Sequence, residues 1–120
     1  MNIQVDTFVH GAHKKEVCED YALSGLQPFP HIIVSDGCSA SEHSDIGSRL
    51  LCHVTQKLLV NLFESEAISW SQFGMKVIEN CDSLRWEMGV KQDVLDATLL
   101  FGVVKENRIW VYVYGDGHVM

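Results

Sequence analysis

Apolar positions shift their spacing along the chain, and each shift predicts an element. IQVDTFVHG (residues 3–11) carries short apolar stretches ended by Gly11, and DYALSG, ended by Gly25, is a second brief stretch. Both predict strands. HIIVSDG predicts a third strand, and its core from Ile32 to Ser35 has its apolar residues on consecutive positions. That predicts a central strand buried on both faces. Beyond it Ile46, Leu50, Leu51, Val54, Leu58 and Leu62 recur every three or four residues, with Ser41, Ser44 and Asp45 available to cap the first turn. A helix is predicted over 44–65. The signature repeats in AISWSQFGMKVIENCDSLRWEMG, where Ser69 or Ser71 stands near the start, Phe73, Val77, Cys81, Leu84 and Met88 share one face, and Gly89 takes the C-cap position. This predicts a second helix over 69–88.

ATLLFGVVKENRIWVYVYGDG then reads as two strands about the polar turn KENR, with Ile109, Val111 and Val113 on one side and Trp110, Tyr112 and Tyr114 on the other. Neither side is polar. Such a hairpin calls for a layer on each face: the two helices on one and another sheet on the other. The predicted order is βββααββ, an α+β fold amounting to part of an αββα sandwich. No repeat or Pro/Gly/Ser linker interrupts it, so residues 1–120 read as one unit.

Composition narrows the function classes. With 120 residues, 47% of them hydrophobic and 21% charged, the chain matches one soluble domain with one core. A net charge of −7, nine Lys and Arg in all, and no basic cluster longer than Lys14-Lys15 argue against nucleic acid or an anionic membrane as partner. No apolar run approaches the ~20 residues that span a bilayer, and the N-terminus lacks a signal-peptide pattern, so a cytoplasmic chain is expected. Cys18, Cys38, Cys52 and Cys81 form no CxxC pair and are expected to be reduced thiols.

The acidic residues can now be placed. Glu19-Asp20 opens the second strand, Asp36-Gly37 closes the third, and Gly115-Asp116-Gly117 closes the last. Taken singly these are a solvated strand start, a tight turn and a Gly-rich turn. Taken together they imply more. If the strand ends converge, carboxylates ~5 Å apart at an effective dielectric of about 20 repel by roughly 3 kcal/mol per pair, which favours a cation between them. All-oxygen ligation suits Mg²⁺ or Mn²⁺ over zinc.

In this order and spacing the chain resembles the N-terminal half of the metal-dependent protein serine/threonine phosphatases of the protein phosphatase 2C type. That half carries an Arg four residues before a Glu-Asp pair, a hydrophobic strand ending in Asp-Gly, two long helices, a Ser/Thr-containing strand and a strand ending in Gly-Asp. Here the matching positions are Lys15 before Glu19-Asp20, IIVSDG, the two predicted helices, DATLLFGVV and WVYVYGD.

The resemblance implies two antiparallel sheets flanked by helices, Mn²⁺ or Mg²⁺ as cofactor, and a phosphoprotein substrate hydrolysed by metal-activated water without a phosphoenzyme. It implies that Asp36 bridges two ions, that the Gly37 carbonyl ligates one of them, and that Glu19 holds water at the metal with Asp20 beside it. Asp116 would line a weaker metal site, and Lys15 would bind phosphate. Lys15 keeps the charge of the family's Arg and loses its bidentate fork, and Cys38 stands where many animal members have His. The family's second half, with two more metal-ligating aspartates, is missing from residues 1–120. A domain incomplete as this chain, joined by a C-terminal segment or by another copy of itself, is therefore expected. A truncated noncatalytic domain acting in binding or assembly is the alternative.

Four smaller candidates have ordinary explanations that are preferred. Cys38 reads as a small buried thiol over a nucleophile, and His43-Ser44 as a helix cap over a phosphate site. Cys52 and His53, adjacent on a helix, point about 100° apart, one to the core and one to the surface. Trp110, Tyr112 and Tyr114 read as core over a stacking platform.

Overall fold

The computed structural model describes residue 4 and residues 20–38, 43–64 and 69–115. The strand expected over residues 3–11 lies outside the described residues. Within them, β1 (Asp20–Gly25) and β2 (His31–Asp36) precede α1 (Ser44–Glu64) and α2 (Trp70–Met88). A 3-10 helix (Gln92–Leu95) leads into β3 (Leu99–Lys105) and β4 (Arg108–Tyr114). The strands form one antiparallel sheet in the order β1-β2-β3-β4, and the fold is α+β.

Local chemistry sets these limits. Ser69 caps α2 through a reciprocal box with Gln72, satisfying two amides that the first turn leaves without partners. Gly89 ends the helix at φ 73°, a left-handed conformation that glycine adopts without penalty, and returns its N–H to the last carbonyls. The β3–β4 hairpin closes through Glu106 and Asn107, both at positive φ, as a two-residue turn matched to the strand twist. At the start of α1 the His43 carbonyl accepts from the Ile46 and Gly47 amides, an ordinary helix entry.

The core fills the space between the helices and one sheet face. Leu51, Val54 and Leu59 of α1 and Phe73, Val77 and Cys81 of α2 meet Ile33, Leu99, Phe101 and Val103. Phe101 is central, its ring centroid 5.4 Å from Phe73 and 4.9 Å from Tyr112. His31 is buried and fully satisfied: Nδ1 donates to the Phe29 carbonyl at 2.6 Å, so Nε2 is the acceptor for the Gln56 amide at 3.0 Å. Tyr114 stacks on Trp70 and donates to its carbonyl, while the Trp70 indole N–H donates to the Val113 carbonyl. These contacts fasten the end of β4 to the start of α2.

Three expectations need correction. β2 is central but not buried on both faces: His31, Ile33 and Ser35 are buried, whereas Ile32 and Val34 are each 37% exposed. The reason is that nothing among the described residues covers the outer sheet face. There Val34, Leu100 and Val113 fall in one cross-strand row, and Ile32, Gly102 and Val111 in the next. Trp110, expected in the core, is 42% exposed, because α2 begins over the Tyr114 end of β4 and Trp110 pairs with Val103 toward the other end. On α2 the apolar stripe outruns the sheet: Phe73, Val77 and Cys81 are buried, but Leu84 and Met88 are exposed. No helix among the described residues is long and apolar enough to cross a membrane.

Candidate functional site

The end of the sheet where β1 begins and β2 stops gathers the chemistry. Asp20 and Asp36 are direct cross-strand partners. Partners in an antiparallel pair point to the same face with Cβ atoms roughly 4.5–5.5 Å apart, so these two carboxylates stand side by side on the outer face.

Asp36-Gly37 is not a turn. Beyond β2 the chain stays paired: Gly37 bridges Ala97, and the Cys38 N–H donates to the Asp96 carbonyl at 2.8 Å. Asp36 is pinned from both sides by one residue, its N–H donating to Thr98 Oγ1 at 3.2 Å and its carbonyl accepting from the Thr98 N–H at 3.0 Å. The Ser35 hydroxyl donates to the Thr98 carbonyl at 2.7 Å. The Asp36 backbone is therefore fixed while its side chain stays exposed.

An open cleft of about 490 Å³ lies over this junction, lined by Asp36, Gly37, Cys38, Asp96, Thr98 and Gly115. Gly115 has φ 95°, and a Cβ there would come within 3.2 Å of Thr98 Cγ2, so glycine lets the end of β4 close against the same threonine. Sequence reasoning missed Asp96 as a second acid in the cleft. It follows the 3-10 helix in an irregular connection, and its one signal is its position three residues before a strand.

The other sequence-predicted residues divide cleanly. Lys15, Glu19 and Asp116 lie outside the described residues. Among the described residues no group of three or more His, Cys, Asp or Glu side chains is placed to hold a metal ion. The donors that do converge, the carboxylates of Asp20 and Asp36 beside Gly37, are all oxygen and fit a hard divalent cation in type, while two carboxylates fall short of a full ligand set.

The thiols also separate. Cys38 is exposed at the cleft, a correction to its expected burial, because its extended backbone sits at the rim of the sheet. Cys52 and Cys81 are buried, and burial pushes both thiols up to about 12, with Cys81 adding to the effect on Cys52. They are protonated core residues, unlike a reactive thiolate. His53 is exposed beside buried Cys52, as their helical spacing predicts.

A four-stranded antiparallel sheet backed by two helices, with an Asp-Gly step ending an inner strand opposite a second aspartate, defines a class of fold and site. A family model described as protein phosphatase 2C matches residues 10–120. The chain belongs to the protein phosphatase 2C family, and the match takes in both helices and the whole of the described sheet. No curated protein and no solved structure matches the chain.

Proposed function

We propose that the chain is the N-terminal half of a metal-dependent phosphatase domain acting on phosphoserine or phosphothreonine in proteins. The observation that carries this reading is the pairing of Asp20 with Asp36 next to Gly37. In this proposal Asp36 and the Gly37 carbonyl are the central ligands of Mn²⁺ or Mg²⁺, Asp20 and Glu19 stand beside them, Asp116 contributes a weaker ligand, and Lys15 binds phosphate. A bound divalent cation lowers the pKa of water and neutralises charge developing on phosphoryl oxygens. The chain's own part is orientation: Thr98 holds the Asp36 backbone on both sides, which aims its carboxylate at the shared face with Asp20.

The outer sheet face, uncovered among the described residues, supports the half-domain reading, since an apolar sheet face fits a second sheet of the same fold. A chain without that layer is proposed to cover the face by self-association. A cytoplasmic location is proposed from the acidic composition and reduced thiols. The second reading is a noncatalytic domain acting in binding or assembly.

A thermal-melt titration with Mn²⁺ at matched ionic strength tests the metal. With a dissociation constant of about 1 mM, ~10 mM Mn²⁺ adds roughly 1.4 kcal/mol, a shift of several degrees. Asp36→Asn is expected to lose most of that shift and to raise the metal-free melting temperature by removing a repelling charge. Equal shifts in the two proteins would refute the metal assignment. Hydrolysis of a generic phosphomonoester by this chain is expected at trace level only; robust turnover abolished by Asp36→Asn would overturn the half-domain reading.

A further inference from the structure

The outward side of the helix pair carries a feature that the phosphatase reading does not use. Between α1 and α2 runs a groove of about 410 Å³. Its floor is apolar: Ile46, Leu50 and Val54 from α1 face Leu84 and Met88, the exposed end of the α2 stripe. Its α1 rim carries Arg49, His53 and Lys57, spaced four residues apart and so aligned along one side of the helix. In a chain of net charge −7 with nine Lys and Arg, two cations flanking a histidine on one helix edge form a local reversal of sign. Among the described residues neither Arg49 nor Lys57 takes part in an ion pair. Arg49 lies over the Tyr21 ring at 5.1 Å, and His53 Nε2 is 3.3 Å from the Tyr21 hydroxyl, so β1 braces two of the three rim residues. On the opposite helix the carboxylate of Asp82 is engaged by Arg85 at 2.6 Å.

We propose that this groove docks an acidic amphipathic helix of a partner protein. Ile46 to Lys57 spans eleven residue steps, roughly 17 Å at 1.5 Å per residue, or three turns. A helix laid along it with carboxylates at i, i+4 and i+8 meets Arg49, His53 and Lys57 in register. Its adjoining apolar side chains enter between Leu50, Leu84 and Met88, which is the helix-in-groove mode of recognition. Charge complementarity selects the occupant: a basic or neutral apolar helix fills the same floor but loses the rim. The inference stands whether or not the acidic sheet edge holds a metal.

The test uses the full chain and a fluorescein-labelled helical peptide of about 14 residues, with Glu at i, i+4 and i+8 beside a row of Leu, read by fluorescence anisotropy. The same peptide with Lys in place of Glu is the control. The Glu peptide is expected to bind at least about tenfold more tightly than the Lys peptide, and to weaken as salt rises from ~50 to ~300 mM. The double variant R49E/K57E is expected to reverse the preference, which also shows that its groove is folded. Leu84→Ser is expected to weaken both peptides. Equal binding of the two peptides, no binding of either, or a double variant that keeps the wild-type preference would overturn the proposal. So would a dimer that R49E/K57E dissociates, since it would assign the groove to a second copy.

Discussion

Replacing Gly47 by alanine tests how closely α1 is seated on the segment that leads into the cleft. Gly47 lies in the first turns of α1, buried, and a Cβ added there would fall on the Val94 carbonyl and within 3.2 Å of the Leu95 amide nitrogen. Both are backbone atoms of the 3-10 helix, so no side chain can rotate away. Overpacking of this kind costs typically 1–3 kcal/mol, and the rigidity of the obstacle puts about 3 kcal/mol on this substitution. Alanine is the better helix former by about 1 kcal/mol, which offsets part of it. The expected net loss is about 2 kcal/mol, or roughly 8 °C in Tm for a chain of this size. Far-UV circular dichroism melts and urea titrations read it directly. Helix propensity alone predicts the opposite sign, so a Gly47→Ala protein melting at or above the wild type would refute the packing. Any relief of the clash moves Val94 and Leu95, and with them Asp96, whose carbonyl holds the Cys38 amide. Stability and cleft geometry are coupled at this one glycine.

Two further outcomes follow from the buried thiols and the outer sheet face. Folding raises the Cys52 and Cys81 thiols from 9.0 to about 12, so their stabilising contribution is whole below pH 9 and is lost as pH climbs toward 12. The slope is at most about 1.4 kcal/mol per pH unit for each thiol; urea midpoints that stay level from pH 8 to pH 10 would contradict this. Ile109→Lys combined with Val111→Lys, which charges the outer face at residues 74% and 42% exposed, is expected to turn a self-associating chain into a monomer by light scattering. A wild-type chain that is monomeric at every concentration would remove the self-association proposal.

Sequence pattern was most informative where one local interaction decides an outcome. Ser69 and Gly89 mark both ends of α2 because a side-chain oxygen and a left-handed residue are chemical requirements of a helix terminus. The β3–β4 turn was legible for the same reason, with Asn107 suited to positive φ. Burial was less legible, because it depends on what lies opposite. Ile32 and Val34 have the composition of a two-sided core strand, yet among the described residues only one side is covered. Trp110, Leu84 and Met88 belong to apolar stripes that are geometrically continuous, and no pattern along a chain says where the neighbouring element stops. Asp36, at the cleft, and its cross-strand partner Asp20 stood out through their places at strand ends. Asp96 reached the same cleft through a backbone bridge of long sequence separation, for which an isolated aspartate gives no sign. The turn reading of Asp36-Gly37 failed for a related reason: its partner strand segment, Ala97-Thr98, lies on the far side of two helices.

That separation shapes how the molecule assembles. β1–β2 and β3–β4 are hairpins joined by short connections, and each can form from local contacts. The pairing of β2 with β3 cannot, since Ser35 and Thr98 are 63 residues apart and both helices lie between them. Closing a loop grows more costly in chain entropy as the loop lengthens, so this is the least local seam in the sheet. The Asp36–Thr98 hydrogen bonds that hold the acidic edge lie on that seam, together with the Cys38–Asp96 contact. The chain therefore ties its candidate chemistry to the least local strand pairing among the described residues: partly assembled molecules can contain both hairpins and both helices and still lack the site.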